Sequence, residues 1–183
     1  MSLHEHRSDA PAPADIRVSV VTVSDTRTTA TDEGGRLVAE LCRAAHFFIA
    51  GGAILPDDRA RIHDHVAALA REGEIDAILV TGGTGIAPRD VTIEALTPLF
   101  DKVLPGYGEL FRALSFSEIG PAAMLSRAAA GTIGSVVVFT LPGSPAGVRL
   151  AVERLIIPEL PHIVSLLRRA SPHEHHHHPR RPG

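Results

Sequence analysis

Ala77-Ile-Leu-Val-Thr-Gly-Gly-Thr-Gly-Ile-Ala-Pro-Arg-Asp90 is an apolar, strand-like run that stops abruptly in three glycines, two threonines and a basic-acidic pair. It reads as a strand delivering a phosphate-handling loop. Gly82, Gly83 and Gly85 can take positive φ and let backbone N–H groups approach an anion closely. Thr81 and Thr84 add hydroxyl donors, and Asp90 offers a ligand for a divalent cation. The loop is not a Walker-type P-loop, because no Lys-Ser or Lys-Thr follows the glycines and the single lysine of the chain is Lys102. Gly82-Gly83-Thr84-Gly85 also lacks the GxGxxG spacing of a dinucleotide fingerprint. A bare strand-to-helix turn is the alternative, and it rarely needs three glycines beside a potential metal ligand.

Outward from this stretch, short apolar runs alternate with amphipathic ones. Ile16 to Val23 is a β-branched first strand ending at Ser24-Asp25-Thr26-Arg27. Leu37, Val38 and Leu41 follow at helical spacing, Phe47 to Leu55 is extended, and Ile62, Val66 and Leu69 mark a helix over residues 59–72. Val91 to Leu96 starts a helix that Pro98 ends early, and residues 109–119 form another. Ala129 to Ile133 and Ser135 to Leu141 are extended, and two C-terminal helices are expected, split at Pro158 and Pro161. This alternation predicts an α/β domain with a mostly parallel sheet, helices on both faces and ligand loops at the carboxyl ends of the strands. Those loops would bring Asp25, Asp57 or Asp58, and Asp90 around one glycine-lined hollow.

The 183 residues are 44% apolar, enough for one well-buried core over residues 16–170. No apolar run approaches the length of a membrane span. A net charge of −3 and 4% aromatics argue against nucleic-acid binding. A lone Cys42 and an N-terminus without an apolar signal-peptide core point to the cytoplasm. Residues 1–15 and the His- and Pro-rich residues 171–183, with His175 to His178, read as disordered, solvated tails.

Asp57 and Asp90 are the carboxylates to weigh, since two carboxylates beside a phosphate loop can bind Mg²⁺ and leave positions for water and phosphate oxygens. Helix capping is their competing role, and it suits Asp58 best. Leu141-Pro-Gly-Ser-Pro145 is a second anion-site candidate through Pro142, Gly143 and Ser144, with a proline-punctuated turn as its alternative. Ser126 and Arg127 offer a phosphate contact or an ordinary salt bridge. Cys42 reads as core, and His63 and His65 fall on different helix faces, so no nucleophile-base pair emerges. What remains is chemistry by positioning, metal charge and backbone donors, which suits phosphoryl or nucleotidyl transfer.

Thr81-Gly-Gly-Thr-Gly85 with Pro88-Arg-Asp90-Val-Thr92, then Pro105-Gly-Tyr-Gly-Glu-Leu-Phe-Arg112, Ser115, Glu118-Ile-Gly120, Ser126-Arg-Ala128, Gly131 and Leu141-Pro-Gly-Ser-Pro145, together resemble the MoaB/Mog molybdopterin adenylyltransferase family. The resemblance runs from about Ile16 to Leu167. It implies a three-layer α/β/α sandwich with a mostly parallel, mixed sheet, assembling as trimers or dimers of trimers. It also implies a place in molybdenum cofactor biosynthesis, beside other proteins of that process, adenylylating molybdopterin with Mg-ATP and releasing pyrophosphate. Asp57 and Asp90 match the family's acidic positions for Mg²⁺ and catalysis. Gly82 to Gly85, Gly143 and Ser144 match its nucleotide and pterin pocket, and Ser115, Ser126 and Arg127 its pterin side. The family also holds MoaB-like members for which a binding-only role is the alternative, and Glu109 to Arg112 and Glu118 to Gly120 lean to MoaB. Leu110, Phe111, Leu114 and Phe116 offer either core or a subunit contact.

Overall fold

A computed structural model describes residues 10–170. The tail expectations for residues 1–9 and 171–183, His175 to His178 included, lie outside the described residues. Residues 13–15, assigned from the sequence to the N-terminal tail, form a 3-10 turn, and Arg168 donates to the Asp15 carbonyl at 2.9 Å.

Six strands make one mixed sheet: β1 (Arg17–Val23), β2 (Phe48–Leu55), β3 (Ala77–Thr81), β4 (Lys102–Val103), β5 (Ala130–Ile133) and β6 (Val136–Leu141), in spatial order β2-β1-β3-β6-β5-β4. The first four in that order run parallel, while β5 is antiparallel to both β6 and β4. Between them run α1 (Glu33–Ala44), α2 (Arg59–Glu72), α3 (Thr92–Leu96), α4 (Pro105–Ile119), α5 (Pro145–Ala151) and α6 (Ile157–Ala170). The result is the three-layer α/β/α arrangement.

Period-two alternation sorts the strand side chains into two cores. Val18, Val20, Leu79, Val137 and Phe139 face α1, α4 and the α5 to α6 run, meeting Val38, Cys42, Phe111, Val152, Ile156 and Leu160. Val21, Val23, Ile78, Val80, Val136 and Val138 face α2 and α3, meeting Ile62, Val66, Ala95 and Leu96. Ala77 to Thr81 is buried along its whole length because β3 sits mid-sheet with helices on both sides. Burial pushes the Cys42 thiol up to about 12, so it remains a neutral core group.

The chain leaves β1 through α1 to β2 on one flank and returns through α2 to β3 on the other. β1 and β3 are therefore neighbours whose outgoing loops diverge, the topological switch point where parallel sheets bind ligands.

Two expectations need correction. The C-terminal helices do not split at Pro158 and Pro161: the joint is one π-turn over Val152–Ile156, and Pro161 lies inside α6. A widened turn ahead of the prolines accommodates their missing donors, and Val152, Ile156, Leu160 and Val164 stay buried at i, i+4 spacing through it. Helix α4 begins at Pro105, four residues before Glu109, with proline in the first turn where its absent N–H costs nothing. Along α4, Phe111 is buried and Leu114 packs on the core, while Leu110 and Phe116 stand exposed.

Truncating the mid-sheet side chain in Leu79→Ala should lower stability by about 2–5 kcal/mol, from lost transfer energy and the cavity left behind. A denaturant midpoint unchanged from wild type would contradict the central position given to β3.

Candidate functional site

The site is built where β1 and β3 end. Gly82 has φ 98°, and a Cβ there would lie 2.3 Å from the Val23 carbonyl oxygen. Gly83 has φ 62°, and its Cβ would fall 2.3 Å from Thr92 Oγ1 and 3.1 Å from Asp57 Oδ1. A Cβ on Gly85 would meet Asp90 Oδ2 at 2.6 Å. The three glycines thus let the chain fold tightly against a backbone carbonyl, a threonine and two carboxylates.

Thr92 locks this loop: its hydroxyl donates to the Gly82 carbonyl at 2.8 Å and its N–H to the Gly83 carbonyl at 3.1 Å. Thr81 donates its hydroxyl to the Pro142 carbonyl at 2.9 Å, joining the glycine loop to the loop after β6. Arg127 spends its donors on the same framework. Its Nε reaches the Gly85 carbonyl at 2.8 Å, one Nη reaches the Asp90 carbonyl at 2.9 Å, and its fork grips the Glu94 carboxylate. The Arg127 guanidinium holds the Glu94 carboxyl below its usual range. Stability from a lowered carboxyl is complete above its ordinary value of 4.5 and is lost as pH falls through the folded value.

Asp58 caps α2 by accepting from the Arg61 N–H at 2.9 Å, which leaves Asp57 for the site. Asp57 pairs with Asp25, which accepts from the Asp57 N–H at 2.9 Å, while Asp57 Oδ2 accepts from the Asp25 N–H at 3.2 Å. The Arg89 guanidinium bridges Asp25 and Asp57. Asp90 does not cap α3, whose N-cap is Val91, but accepts from the Ala87 N–H at 2.9 Å beneath Gly85. Asp25 and Asp57 thus share one corner through direct hydrogen bonds and Arg89, while Asp90 meets the same loop at Gly85.

Two of the cavities that open beside the loop share Gly143. One, of about 330 Å³, is lined by Thr84, Gly85, Ser115, Ser126, Pro142, Gly143 and Ser144, with Phe111 and Leu150 as apolar walls. The other, of about 220 Å³ and more polar, is lined by Thr22, Ser24, Arg27, Asp32, Gly34, Thr81 and Gly82. Ser144 Oγ accepts from the Gly147 N–H at 3.3 Å, so it caps α5. Tyr107 and Gly108 are framework: the Tyr107 hydroxyl donates to the Thr140 carbonyl at 3.0 Å, and a Cβ on Gly108 would lie 2.5 Å from the Ala128 carbonyl oxygen.

Sequence reading missed Asp32, which is buried and accepts from the Thr22 hydroxyl at 2.7 Å and the Gly35 N–H at 2.9 Å. It caps α1 and presents Gly34 to Thr81 and Gly143. The signal was available as an aspartate before an acidic first turn, Glu33, with two glycines next to it at Gly34 and Gly35.

Among the described residues no group of three or more His, Cys, Asp or Glu side chains is poised around a metal ion. The hard oxygen donors of Asp25, Asp57 and Asp90 nevertheless suit Mg²⁺, which takes one or two carboxylates and completes its shell with water and phosphate. A guanidinium already lies against Asp25 and Asp57, so that corner accommodates positive charge.

Gly83→Ala should lower the melting temperature, since it forces both a positive φ and a clash with Thr92, a strain of roughly 1–3 kcal/mol. Gly143→Ala should melt as wild type, because the nearest atom to its Cβ is Gly82 Cα at 3.7 Å. Equal melting of the two variants would refute this account of the loop.

Residues 19–162 match the family model described as "Probable molybdopterin binding domain". A curated relative from Bacillus subtilis (strain 168), named Molybdenum cofactor biosynthesis protein B, is 49% identical over 170 residues, covering 92% of this chain and 99% of the relative. A crystal structure of Molybdenum cofactor biosynthesis protein B superposes with a TM-score of 0.84 at 49% identity, covering 87% of this chain and 99% of that one. The molybdopterin biosynthesis Mog protein from Mycobacterium ulcerans superposes with a TM-score of 0.75 at 27% identity, covering 83% and 99%. The chain belongs to the MoaB/Mog family of molybdenum cofactor biosynthesis proteins.

Proposed function

We propose that this protein acts in molybdenum cofactor biosynthesis as a molybdopterin adenylyltransferase, joining the adenylyl group of ATP to the terminal phosphate of molybdopterin and releasing pyrophosphate. The observation that carries the reading is a glycine loop at the β1/β3 switch point that packs on Asp57 at Gly83 and on Asp90 at Gly85 and borders two adjoining cavities through Gly82 and Gly85. The larger cavity, with Ser115, Ser126 and Ser144 beside Phe111 and Leu150, suits a flat heterocycle bearing polar edges. The polar cleft at Thr22, Arg27 and Gly82 suits the nucleotide, and the lining of both cavities by Gly143 supports binding of the two substrates side by side.

In this reaction an oxygen of the pterin phosphate forms a bond to the α-phosphorus. The bond to the bridging α–β oxygen breaks, and its electron pair leaves with pyrophosphate. The nucleophile is already ionised at neutral pH, so the protein supplies no covalent group and works by positioning and charge. Backbone N–H groups of Gly83 to Gly85 would orient phosphate oxygens, the Gly82 N–H being held by the Leu141 carbonyl at 3.2 Å, while Arg127 keeps that loop in place through the Gly85 and Asp90 carbonyls. Asp57 and Asp90 would hold Mg²⁺, with Asp25 beside Asp57, and the ion would supply neutralisation of the charge on the departing pyrophosphate.

A binding-only role, in which the same site holds molybdopterin without turning it over, is the second reading, favoured by identity to relatives named protein B rather than Mog. The exposed Leu110, Phe116, Ile119, Met124 and Leu125 support a subunit contact, for which the family resemblance favours a trimer or a dimer of trimers. For the reading's setting, no helix among the described residues is long and apolar enough to cross a membrane, in keeping with action in the cytoplasm.

Asp57→Asn and Asp90→Asn each remove one charge without changing volume. Each should retain the wild-type melting curve and lower adenylyl transfer at least a hundredfold, an effect of about 2.7 kcal/mol on the barrier. Mass spectrometry of the pterin product from purified protein, ATP, Mg²⁺ and molybdopterin gives the readout. Wild-type turnover in either folded variant removes that residue from the mechanism. Tight pterin binding by the unaltered protein with no product would select the second reading.

A further inference from the structure

Arg89 occupies an unusual place for a residue of an exposed loop. Its guanidinium reaches across the switch point to two carboxylates delivered by two other loops: Asp25 after β1 and Asp57 after β2. The partners differ in access, because the Asp57 side chain is 9% exposed and that of Arg89 is 57% exposed. The cation therefore approaches the corner from solvent and can leave without opening the core.

The corner gathers two carboxylates around one cation. Asp25 and Asp57 exchange backbone-to-carboxylate hydrogen bonds at 2.9 and 3.2 Å, which fixes their side chains close together. Two carboxylates held in this way repel, and one guanidinium leaves a net charge of −1. A divalent ion in its place would bring the corner to neutrality and present open coordination positions to phosphate oxygens.

We propose that Arg89 is a built-in counter-ion, holding the Asp25–Asp57 corner in the metal-free protein and displaced from it by the divalent cation. The proposal rests on the Mg²⁺ site of the proposed function, to which this corner contributes Asp57 with Asp25 beside it. Metal entry then does two things at once: it fills the corner, and it frees a fork-shaped cation on the glycine loop, one residue before Asp90, to meet phosphate oxygens. Arg89 is in this sense a positioning residue whose partner changes during the cycle.

The test compares divalent-ion affinity of wild type, Arg89→Gln and Arg89→Lys without nucleotide or pterin, by Mn²⁺ electron paramagnetic resonance and Mg²⁺ calorimetry. Removing a competing cation from a partly exposed pair should tighten binding roughly fivefold in Arg89→Gln. Arg89→Lys, which keeps the charge and loses the fork, should fall between. In nitrogen-labelled wild type, saturating Mg²⁺ should move the Arg89 side-chain Nε–H resonance, a readout that needs no variant to fold. A plain structural clamp predicts the reverse: equal or weaker affinity in Arg89→Gln and an unmoved resonance, and either overturns the proposal while leaving the metal corner standing. Failure of all three proteins to bind either ion would overturn the corner and the counter-ion together.

Discussion

The close approach of β1 and β3 at their carboxyl ends is the constraint on which the rest of the structure depends. At Gly82 there is no room for a side chain: a Cβ would stand 2.3 Å from the Val23 carbonyl oxygen. That contact turns the chain out of the sheet with positive φ at two successive residues and sends it directly over the acidic corner. Any larger residue would push the loop away from Val23, and with it Thr92, whose two hydrogen bonds close the turn.

From that contact follows a division of labour among the polar side chains. Thr81, Thr92 and Arg127 satisfy backbone carbonyls, so they build the loop's shape. Asp32 and Thr22 perform the same task beneath the N-terminus of α1. Asp25, Asp57 and Arg89 form the charged group, in which one guanidinium spans both carboxylates. A site assembled from loops of a parallel sheet gains precision in this way: each loop is anchored by its own strand and then tied to a neighbour by a bond from side chain to main chain.

Much of this was legible in the sequence. The β-branched run before Ser24 and the apolar run before Gly82 identified two central strands, because full burial on both faces removes the need for polar alternation. Asp58 as the helix cap, Cys42 as core and the glycine loop could be read from local chemistry alone. That Asp25 and Asp57 or Asp58 would share one hollow followed from their places after successive strands, but the reciprocal hydrogen bonds of Asp25 and Asp57 and the Arg89 bridge depend on side-chain placement that carries no sequence signature. The two-residue β4 carries no periodicity, and its exposure gives it no apolar signature. The prolines at 158 and 161 misled for a physical reason: a proline removes a donor, but a π-turn one step earlier lets the helix continue. For Arg127 the sequence leaves a phosphate contact and a salt bridge both open, because its partners Gly85, Asp90 and Glu94 come from a distant part of the chain.

The most direct test of the central claim is a crystal structure of the protein with molybdopterin, Mg²⁺ and a non-hydrolysable ATP analogue. The account predicts pterin between Ser115, Ser126 and Ser144, with its terminal phosphate in line with the α-phosphorus over Gly82 and Gly83 and the metal against Asp57. Pterin in that cavity with the nucleotide bound far from the glycine loop, or both ligands elsewhere on the sheet, would contradict it.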